Sequence, residues 1–391
     1  MQAAQDLELF HTEEHSPGFV WWHPNGQAIL QALRKLLREA HGDFGYQEVK
    51  TPNMSGSALF ERSGHLAKFS QNMFQVSGGE GVALIVRPMS CPNHISVFDR
   101  RNRSHAELPL KLFEFGDVAR NEPSGSLQAL FRMRGFTQDD SHVFAKHDQI
   151  QAVVGDFLSM SKLVYTQLGF TDVRYQISLR PEQRFGSDEL WDKAEQELRD
   201  ACSAQGLAWA EEGGGGAFYG PKLEMHLTDK MGRSWQMGVI QLDFVLPARF
   251  DLRYLSDQNK MECPVILHHA VLGSLERFVG VLLEQYGTEL PVIVKPLQVA
   301  LVAVTPEQSE AVRKLAKVFS RIGIRSRVFD KEGRLGTNVK AALVSKPGWL
   351  AVIGAKEAAA GQVNVRQGND SRILAMSDFT SEVVAAVSLS V

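Results

Sequence analysis

Apolar side chains at Ile29, Leu30, Leu33, Leu36 and Leu37 return at the three- and four-residue spacing of one helix face. The run stops at His41-Gly42, so residues 26–41 predict an amphipathic helix. The period then shortens. Residues 84–86, 110–115, 136–144, 173–179 and 235–246 alternate apolar with polar positions, or carry β-branched and aromatic side chains, and predict strands. Helical spacing returns at 147–168 and 187–204. Several strands arrive without an intervening helix, which favours an α+β arrangement, an antiparallel sheet with helices packed on it, over a doubly wound parallel sheet.

A helical stretch over about 270–286 is followed by residues 289–296, which hold two prolines and no helical period and predict a connector. The rhythm changes again at 298. Strand 299–304, helix 306–321, strand 325–329, helix 336–346, strand 350–353 and helix 378–389 predict an alternating α/β domain. The expected organisation is a domain over 1–290, a linker over 291–297 and a second domain over 298–391.

The 391 residues are 44 % hydrophobic and 22 % charged, with 42 Lys and Arg against 45 Asp and Glu. Such a composition excludes collagen, coiled coil and bulk disorder, and the length allows two or three cores. The near-neutral total conceals an asymmetry. Residues 298–391 hold 13 basic and 8 acidic residues, the first 297 hold 29 and 37, and the net charges are +5 and −8. Three well-separated cysteines, Cys91, Cys202 and Cys263, fit a reducing compartment better than a disulfide framework. The N-terminal segment lacks an apolar signal region and an Arg-rich amphipathic helix, and no apolar run is long enough for a bilayer. A cytosolic protein with no membrane partner is expected.

The densest chemistry lies in residues 120–142, RNEPSGSLQALFRMRGFTQDDSH, where Arg120, Arg132 and Arg134 stand with Glu122, Asp139 and Asp140 on two strand-like segments around a turn. Guanidinium forks suit phosphate oxygens, and carboxylates suit a magnesium ion or an amino group. An exposed hairpin with cross-strand ion pairs reads the same residues equally well. Residues 213–222, GGGGAFYGPK, offer close backbone approach to an anion and a point charge at Lys222, without a Walker pattern; a flexible turn is the plain reading. Cys91, His142, His268 and His269 are possible metal ligands whose spacing carries no signature, so buried thiol and hydrogen-bonded imidazoles remain open. Gly273 and Arg277 suit a phosphate, or a helix crossing beside a solvated charge pair.

These pieces resemble a known family when taken together. Residues 45–52 (GYQEVKTP), 120–142 and 273–277 (GSLER) resemble motifs 1, 2 and 3 of the class II aminoacyl-tRNA synthetases, in order and spacing. LELFHTEEHSPGFVWWHPNG, MSCPNH, FTQDDSH and GAFYGPK are similar to segments of the threonyl-tRNA synthetases, and the resemblance runs through essentially the whole chain. It implies an antiparallel six-stranded catalytic sheet with flanking helices, a homodimer built around motif 1, and a C-terminal α/β anticodon-binding domain. The implied reaction joins ATP and L-threonine into threonyl-adenylate, then transfers threonine to the terminal ribose hydroxyl of tRNA(Thr).

Carried onto this sequence, the resemblance makes Cys91, His142 and His268 ligands of one catalytic Zn2+ that takes the amino and hydroxyl groups of threonine, with Gln138, Asp140 and Tyr219 around the amino acid. ATP, bound with Mg2+, would meet Arg120 at its α-phosphate, Arg132 and Arg277 at its γ-phosphate, and Glu122 and Phe136 at adenine. Lys222, Gln236 and Gln241 would line the remaining adenylate site, Gly273 and Ser274 would let the backbone pass close, and His65 would assist deprotonation of the tRNA hydroxyl. Glu357 and Arg366 would remain from the anticodon-reading surface.

Two departures modify the expectation. The serine-editing domain that precedes this segment in common bacterial forms is absent from the sequence, so seryl-adenylate or seryl ester is expected to form without clearance in cis. The anticodon-reading region has VRQGNDSR at 365–372, Glu332 where Asn is frequent, Ser345-Lys346 in place of paired arginines, and Pro347-Gly348-Trp349 in place of Pro-Tyr. Fewer basic contacts weaken tRNA binding and flatten its salt dependence. The alternative is a paralogue that activates threonine or another β-hydroxy amino acid for a non-tRNA acceptor or a resistance role.

Overall fold

A computed structural model describes residues 2–77, 83–331, 335–368 and 370–389; Glu332 and Asn369 of the altered region lie outside them. The chain forms two compact units, one from residues 12–20 and 34–281, the other from residues 1–11, 21–33 and 282–391. The helix predicted at 26–41 spans Pro24–Asp43, which we call α1, and its apolar stripe from Ile29 to Leu37 is buried.

The first unit is organised by an eight-stranded sheet. In chain order its strands are β1 (Gln47–Glu48), β2 (Leu110–Ala119), β3 (Gly135–Ala145), β4 (Val173–Ser178), β5 (Trp209–Glu212), β6 (Lys222–Thr228), β7 (Ser234–Asp243) and β8 (Val265–Ala270). They lie in the order β5-β4-β6-β7-β8-β3-β2-β1. The six strands from β4 to β2 pair antiparallel throughout, as expected, and β5 and β1 add parallel edges. Strand β8 lies at the centre with all six residues buried, so it reads as a continuous apolar run with no period of two. That is why its start was not legible as a strand and residues 270–286 read as one helix.

Helices α2 (Cys91–Asp99), α3 (Ile150–Gln167), α4 (Asp188–Ala204) and α5 (Leu275–Tyr286) accompany the sheet. Pro92 occupies the first turn of α2, where its missing N–H costs no hydrogen bond. In α5, Leu275, Phe278, Val279 and Leu282 recur at helical spacing and are all buried.

In the second unit, β9 (Val299–Ala303), β10 (Ser326–Phe329), β11 (Trp349–Ile353), β12 (Gln362–Gln367) and β13 (Asp370–Ala375) form a sheet ordered β10-β9-β11-β12-β13. Its first three strands are parallel and β12–β13 is an antiparallel hairpin that the sequence rhythm did not reveal. Helices α6 (Ser309–Arg321), α7 (Leu335–Val344), α8 (Ala355–Ala360) and α9 (Met376–Val387) complete the unit, and Phe319, Trp349 and Phe379 anchor its core.

Candidate active site

Strand alternation sets one wall of the site. Phe136, Gln138, Asp140 and His142 share one face of β3 and all line cavities there. On β7, Gln236 and Gln241 are five residues apart and would point to opposite faces of a regular strand. A bulge resolves this. Glu224 pairs with Val239 whereas His226 pairs with Gln236, so β7 carries one extra residue and Gln236, Val239 and Gln241 all reach the cavities. The extra turn of chain contains Gly238, where a Cβ would stand 2.4 Å from the Tyr165 hydroxyl. That hydroxyl donates to the Val271 carbonyl at 2.6 Å and so ties α3 to the loop before α5.

The first cavity, about 460 Å³, is lined by Cys91, Arg120, Gln138, Asp140, His142, Tyr219, Gln241 and His268 among others. Cys91 at the start of α2, His142 on β3 and His268 on β8 bring one ligand atom each to within 4.8 Å of one another. A thiolate and two imidazoles at this separation match a catalytic zinc site with an open fourth position. Two of the outer ring nitrogens are occupied. His268 Nε2 is 3.0 Å from the Asp243 carboxylate, and His142 Nδ1 is 2.8 Å from His94 Nδ1, which leaves the other nitrogen of each ring for a metal. Burial pushes the Cys91 thiol well above its ordinary range and the charges of Asp140 and Asp243 push it further; a bound cation inverts that preference. Burial likewise holds His142 well below the usual imidazole range, with the neighbouring histidines adding to the effect. The residues therefore fit a zinc ion. Beside them the Tyr219 hydroxyl donates to Gln241 at 2.6 Å, and Asp140 accepts the Ser90 N–H at 3.3 Å.

The second cavity, about 1110 Å³, adjoins the first, shares Arg120, Gln138 and Val239 with it, and adds Glu122, Arg132, Phe136, Gln236, Gly273, Ser274 and Arg277. Arg120 donates to the Pro88 carbonyl at 3.2 Å, and its guanidinium lies 5.2 Å from the Phe136 ring centroid. Arg132 clasps Glu122 through Nε at 3.0 Å and Nη2 at 2.7 Å, which holds both beside the opening. Gly273 takes the left-handed φ of 70°, and the Ser274 hydroxyl accepts the Arg277 N–H at 3.1 Å, capping α5. Burial lowers the pKa of Arg277, and its Nε is buried without a hydrogen-bond partner.

Two of the catalytic residues named from sequence, Lys222 and His65, stand apart from these linings, whereas His269 lines the first cavity. Lys222 on β6 pairs with Glu224 at 2.5 Å. His65 is fully buried, with Nδ1 2.7 Å from the Ser63 hydroxyl and Nε2 3.6 Å from Cys91 Sγ. Burial pushes its pKa down to about 4, which keeps the ring neutral at physiological pH. His269 turns from the metal cluster to the Tyr46 hydroxyl at 2.7 Å. In the second unit, Glu357 accepts the Gly354 N–H at the start of α8, and Arg366 pairs across from Leu350 at the exposed end of β12.

Four residues around the site were not singled out from sequence: His94, Glu114, Asp243 and Arg87. A faint signal existed. His94 follows Cys91 by three positions on α2, and Glu114 is a lone carboxylate inside the apolar run LKLFEF. A charge in the middle of a buried strand calls for a partner.

Residues 74–286 match the tRNA synthetase class II core domain (G, H, P, S and T), and residues 298–385 match an anticodon binding domain. A threonine-tRNA ligase of Psychrobacter cryohalolentis is 42 % identical over 383 residues, which cover 97 % of this chain and 59 % of that protein. The chain thus spans about three-fifths of the length of such curated relatives. Among solved structures, the RNA binding domain of threonyl-tRNA synthetase from Cryptosporidium parvum superposes with a TM-score of 0.95 at 32 % identity, covering 100 % of this chain and 98 % of that one. A putative threonyl-tRNA synthetase from Aeropyrum pernix gives a TM-score of 0.82, also at 32 % identity, covering 98 % and 95 %.

Proposed function

Because the chain belongs to the class II tRNA synthetases, in the threonyl-tRNA synthetase family, we propose that it activates L-threonine with ATP and passes the threonyl group to tRNA(Thr). One observation carries the reading: the cavity that holds a Cys-His-His cluster with Asp140 shares Arg120 with an adjoining cavity that holds Arg132 and Arg277. That pairing suits a small amino acid on one side and a triphosphate on the other.

Cys91, His142 and His268 would hold one zinc ion. When bound there it supplies a Lewis acid for the amino and hydroxyl groups of the amino acid. Asp140, Gln138 and Tyr219 orient that amino acid from the surrounding walls. Arg120 stands between the two cavities, where a threonine carboxylate oxygen would attack the α-phosphorus of ATP and pyrophosphate would leave. The charge that develops on the phosphoryl oxygens falls to Arg120, and the departing pyrophosphate with its Mg2+ falls to Arg132 and Arg277. Glu122 and Phe136 take the adenine. For transfer, the neutral ring of His65, 3.6 Å from Cys91, would take the proton of the ribose hydroxyl, and Lys222 would support the adenylate from β6.

In this reading the enzyme is a cytosolic homodimer, supported by its free cysteines and by the open outer side of the edge strand β1 in the motif 1 segment. The anticodon is met by the second unit, with Glu357 and Arg366 taking part. A second reading, a non-tRNA acceptor, is favoured by the carboxylates that engage Arg313, Lys314 and Arg372 in that unit. Threonine-dependent ATP–pyrophosphate exchange tests activation. Charging of tRNA(Thr) transcripts then separates the two readings, because robust exchange with no charging of any tRNA would sink the first.

A further inference from the structure

Glu114 is a fully buried carboxylate on β2, and every group that reaches it donates. The Thr51 N–H and hydroxyl lie at 3.0 and 2.7 Å, and the Arg87 guanidinium reaches both oxygens at 3.1 Å. His94 Nε2 lies at 3.2 Å and the Lys50 ammonium at 3.6 Å. Burial alone would raise the carboxyl pKa, but the hydrogen bonds from His94, Arg87 and Thr51 outweigh it and leave the group well below the usual carboxylate range.

An acceptor of this kind dictates the direction of the chain beyond it. A neutral His94 with its proton on Nε2 carries a lone pair on Nδ1, which faces His142 Nδ1 at 2.8 Å; Asp140 Oδ1, 3.7 Å from the same nitrogen, is a second acceptor beside it. His142 Nδ1 must then be the donor. Its Nε2 is left bare, available as the ligand atom that His142 offers beside Cys91 and His268. On the opposite side of the cluster, His268 reaches a carboxylate directly, because Asp243 is 3.0 Å from Nε2 and is itself fixed by the N–H groups of Val245 and Leu246 at 2.7 and 2.9 Å. His268 is therefore backed by a carboxylate directly, and His142 by Asp140 at 3.7 Å and by Glu114 at second hand through His94.

We propose that Glu114 and His94 form a positioning relay that holds His142 in the Nδ1–H tautomer and presents its Nε2 to the metal, so that metal affinity depends on two residues that touch neither metal nor substrate. The inference rests on the zinc reading of the cluster. Outer partners of this type are worth about 10- to 100-fold in metal affinity.

The test uses the full chain and zinc itself, with affinity read by competition against a chromophoric chelator. The unsubstituted protein is expected to bind one zinc and Cys91→Ser to lose it; equal binding by these two would overturn the site reading, and the relay with it. His94→Leu is expected to bind about 10- to 100-fold more weakly. His94→Gln, whose amide can still donate to Glu114 and accept from His142, is expected to stay within about threefold of the parent on the same basis. With Cys91→Ser deficient, parental affinity in His94→Leu, or equal loss in both His94 variants, overturns the relay and leaves the site standing. Nitrogen-15 spectra of the imidazoles in the unsubstituted chain read the tautomers without any substitution: His142 protonated at Nδ1 and His94 at Nε2 support the relay, and the opposite pair overturns it even where a variant fails to fold.

Discussion

Asp139 holds the backbone of Leu272. One carboxylate oxygen accepts the N–H of Leu272 at 3.0 Å and that of Val271 at 2.8 Å, immediately before the Gly273-Ser274 turn that opens α5. Asp139 is thus the back-to-back neighbour of Asp140: one faces the amino-acid cavity and the other braces the loop that carries Arg277.

Burial pushes the Asp139 carboxyl up to about 7, against the backbone N–H groups of Leu272, Val271 and Gly273 and with the charge of Asp140. Its folded pKa therefore exceeds the unfolded value of about 3.9. The folded state binds the proton more tightly, so this contribution to stability is complete below about pH 4 and is lost as pH rises through 7. The facing titratable groups are Asp140 and Tyr165, the latter held neutral by burial. Urea titrations of the parent and Asp139→Asn from pH 8 to pH 5 should show the parent gaining stability relative to the variant on acidification. A constant difference would remove the assignment.

The Arg87–Glu114 pair is buried completely at both ends. Arg87→Met leaves Glu114 charged with fewer donors, and removal of one partner of a buried pair costs about 3–5 kcal/mol. Chemical denaturation should register a loss of that size, and a change under about 1 kcal/mol, the level of an exposed pair, would mean that the pair is solvated.

Gly238 and Tyr165 compete for the same space. Gly238→Ala places a methyl where the Tyr165 hydroxyl sits, a clash expected to cost about 1–3 kcal/mol. Tyr165→Phe removes the hydroxyl, so Gly238→Ala should cost less in that background. Denaturant midpoints for the four proteins of the cycle measure the coupling, and strict additivity would contradict the contact.

Arg277 lines the second cavity from a helix whose start is fixed by Ser274. Arg277→Gln should lower the rate of threonine-dependent ATP–pyrophosphate exchange by about 10²–10³ while zinc content stays at the parental level. Unchanged exchange would remove Arg277 from the phosphate site.

A site that coordinates a hydroxyl rejects an amino acid lacking one by about 10⁴ or more, whereas a missing methyl is worth only about 10- to 200-fold. Exchange kcat/KM should accordingly fall steeply from threonine to valine and modestly from threonine to serine. Comparable discrimination against both would argue against hydroxyl coordination by the Cys-His-His cluster.

Much of this was legible in the one-dimensional pattern. The alternation Phe136, Gln138, Asp140, His142 belongs to a strand with one working face, and the buried stripe Leu275, Phe278, Val279, Leu282 belongs to a helix against a core; both periods survive into three dimensions because they are properties of the local backbone. The run of strands without intervening helices predicted an antiparallel sheet, the family resemblance implied six strands, and both are found, with two parallel edge strands added. Strand β8 escaped notice because a strand buried on both faces has no alternation to read, and the β12–β13 hairpin escaped because its outer strand is mostly exposed.

Residue types and their order by themselves determined that arginines, carboxylates, a thiol and imidazoles were present in the pattern of a class II synthetase, and that the chain changes from an acidic to a modestly basic half. They could not determine which of those groups meet. Cys91, His142 and His268 lie on three elements far apart in the chain, and only the packing of α2 against β3 and β8 brings their ligand atoms within 4.8 Å. Nor does spacing place Gln236 and Gln241 on one face, since a single inserted residue reverses strand parity and its presence depends on the partner strand. The tertiary structure alone decided that His94 and Glu114 stand behind His142, because the direction of a hydrogen-bond chain is set by how many donors converge on its terminal carboxylate, and that number exists only once the sheet is folded.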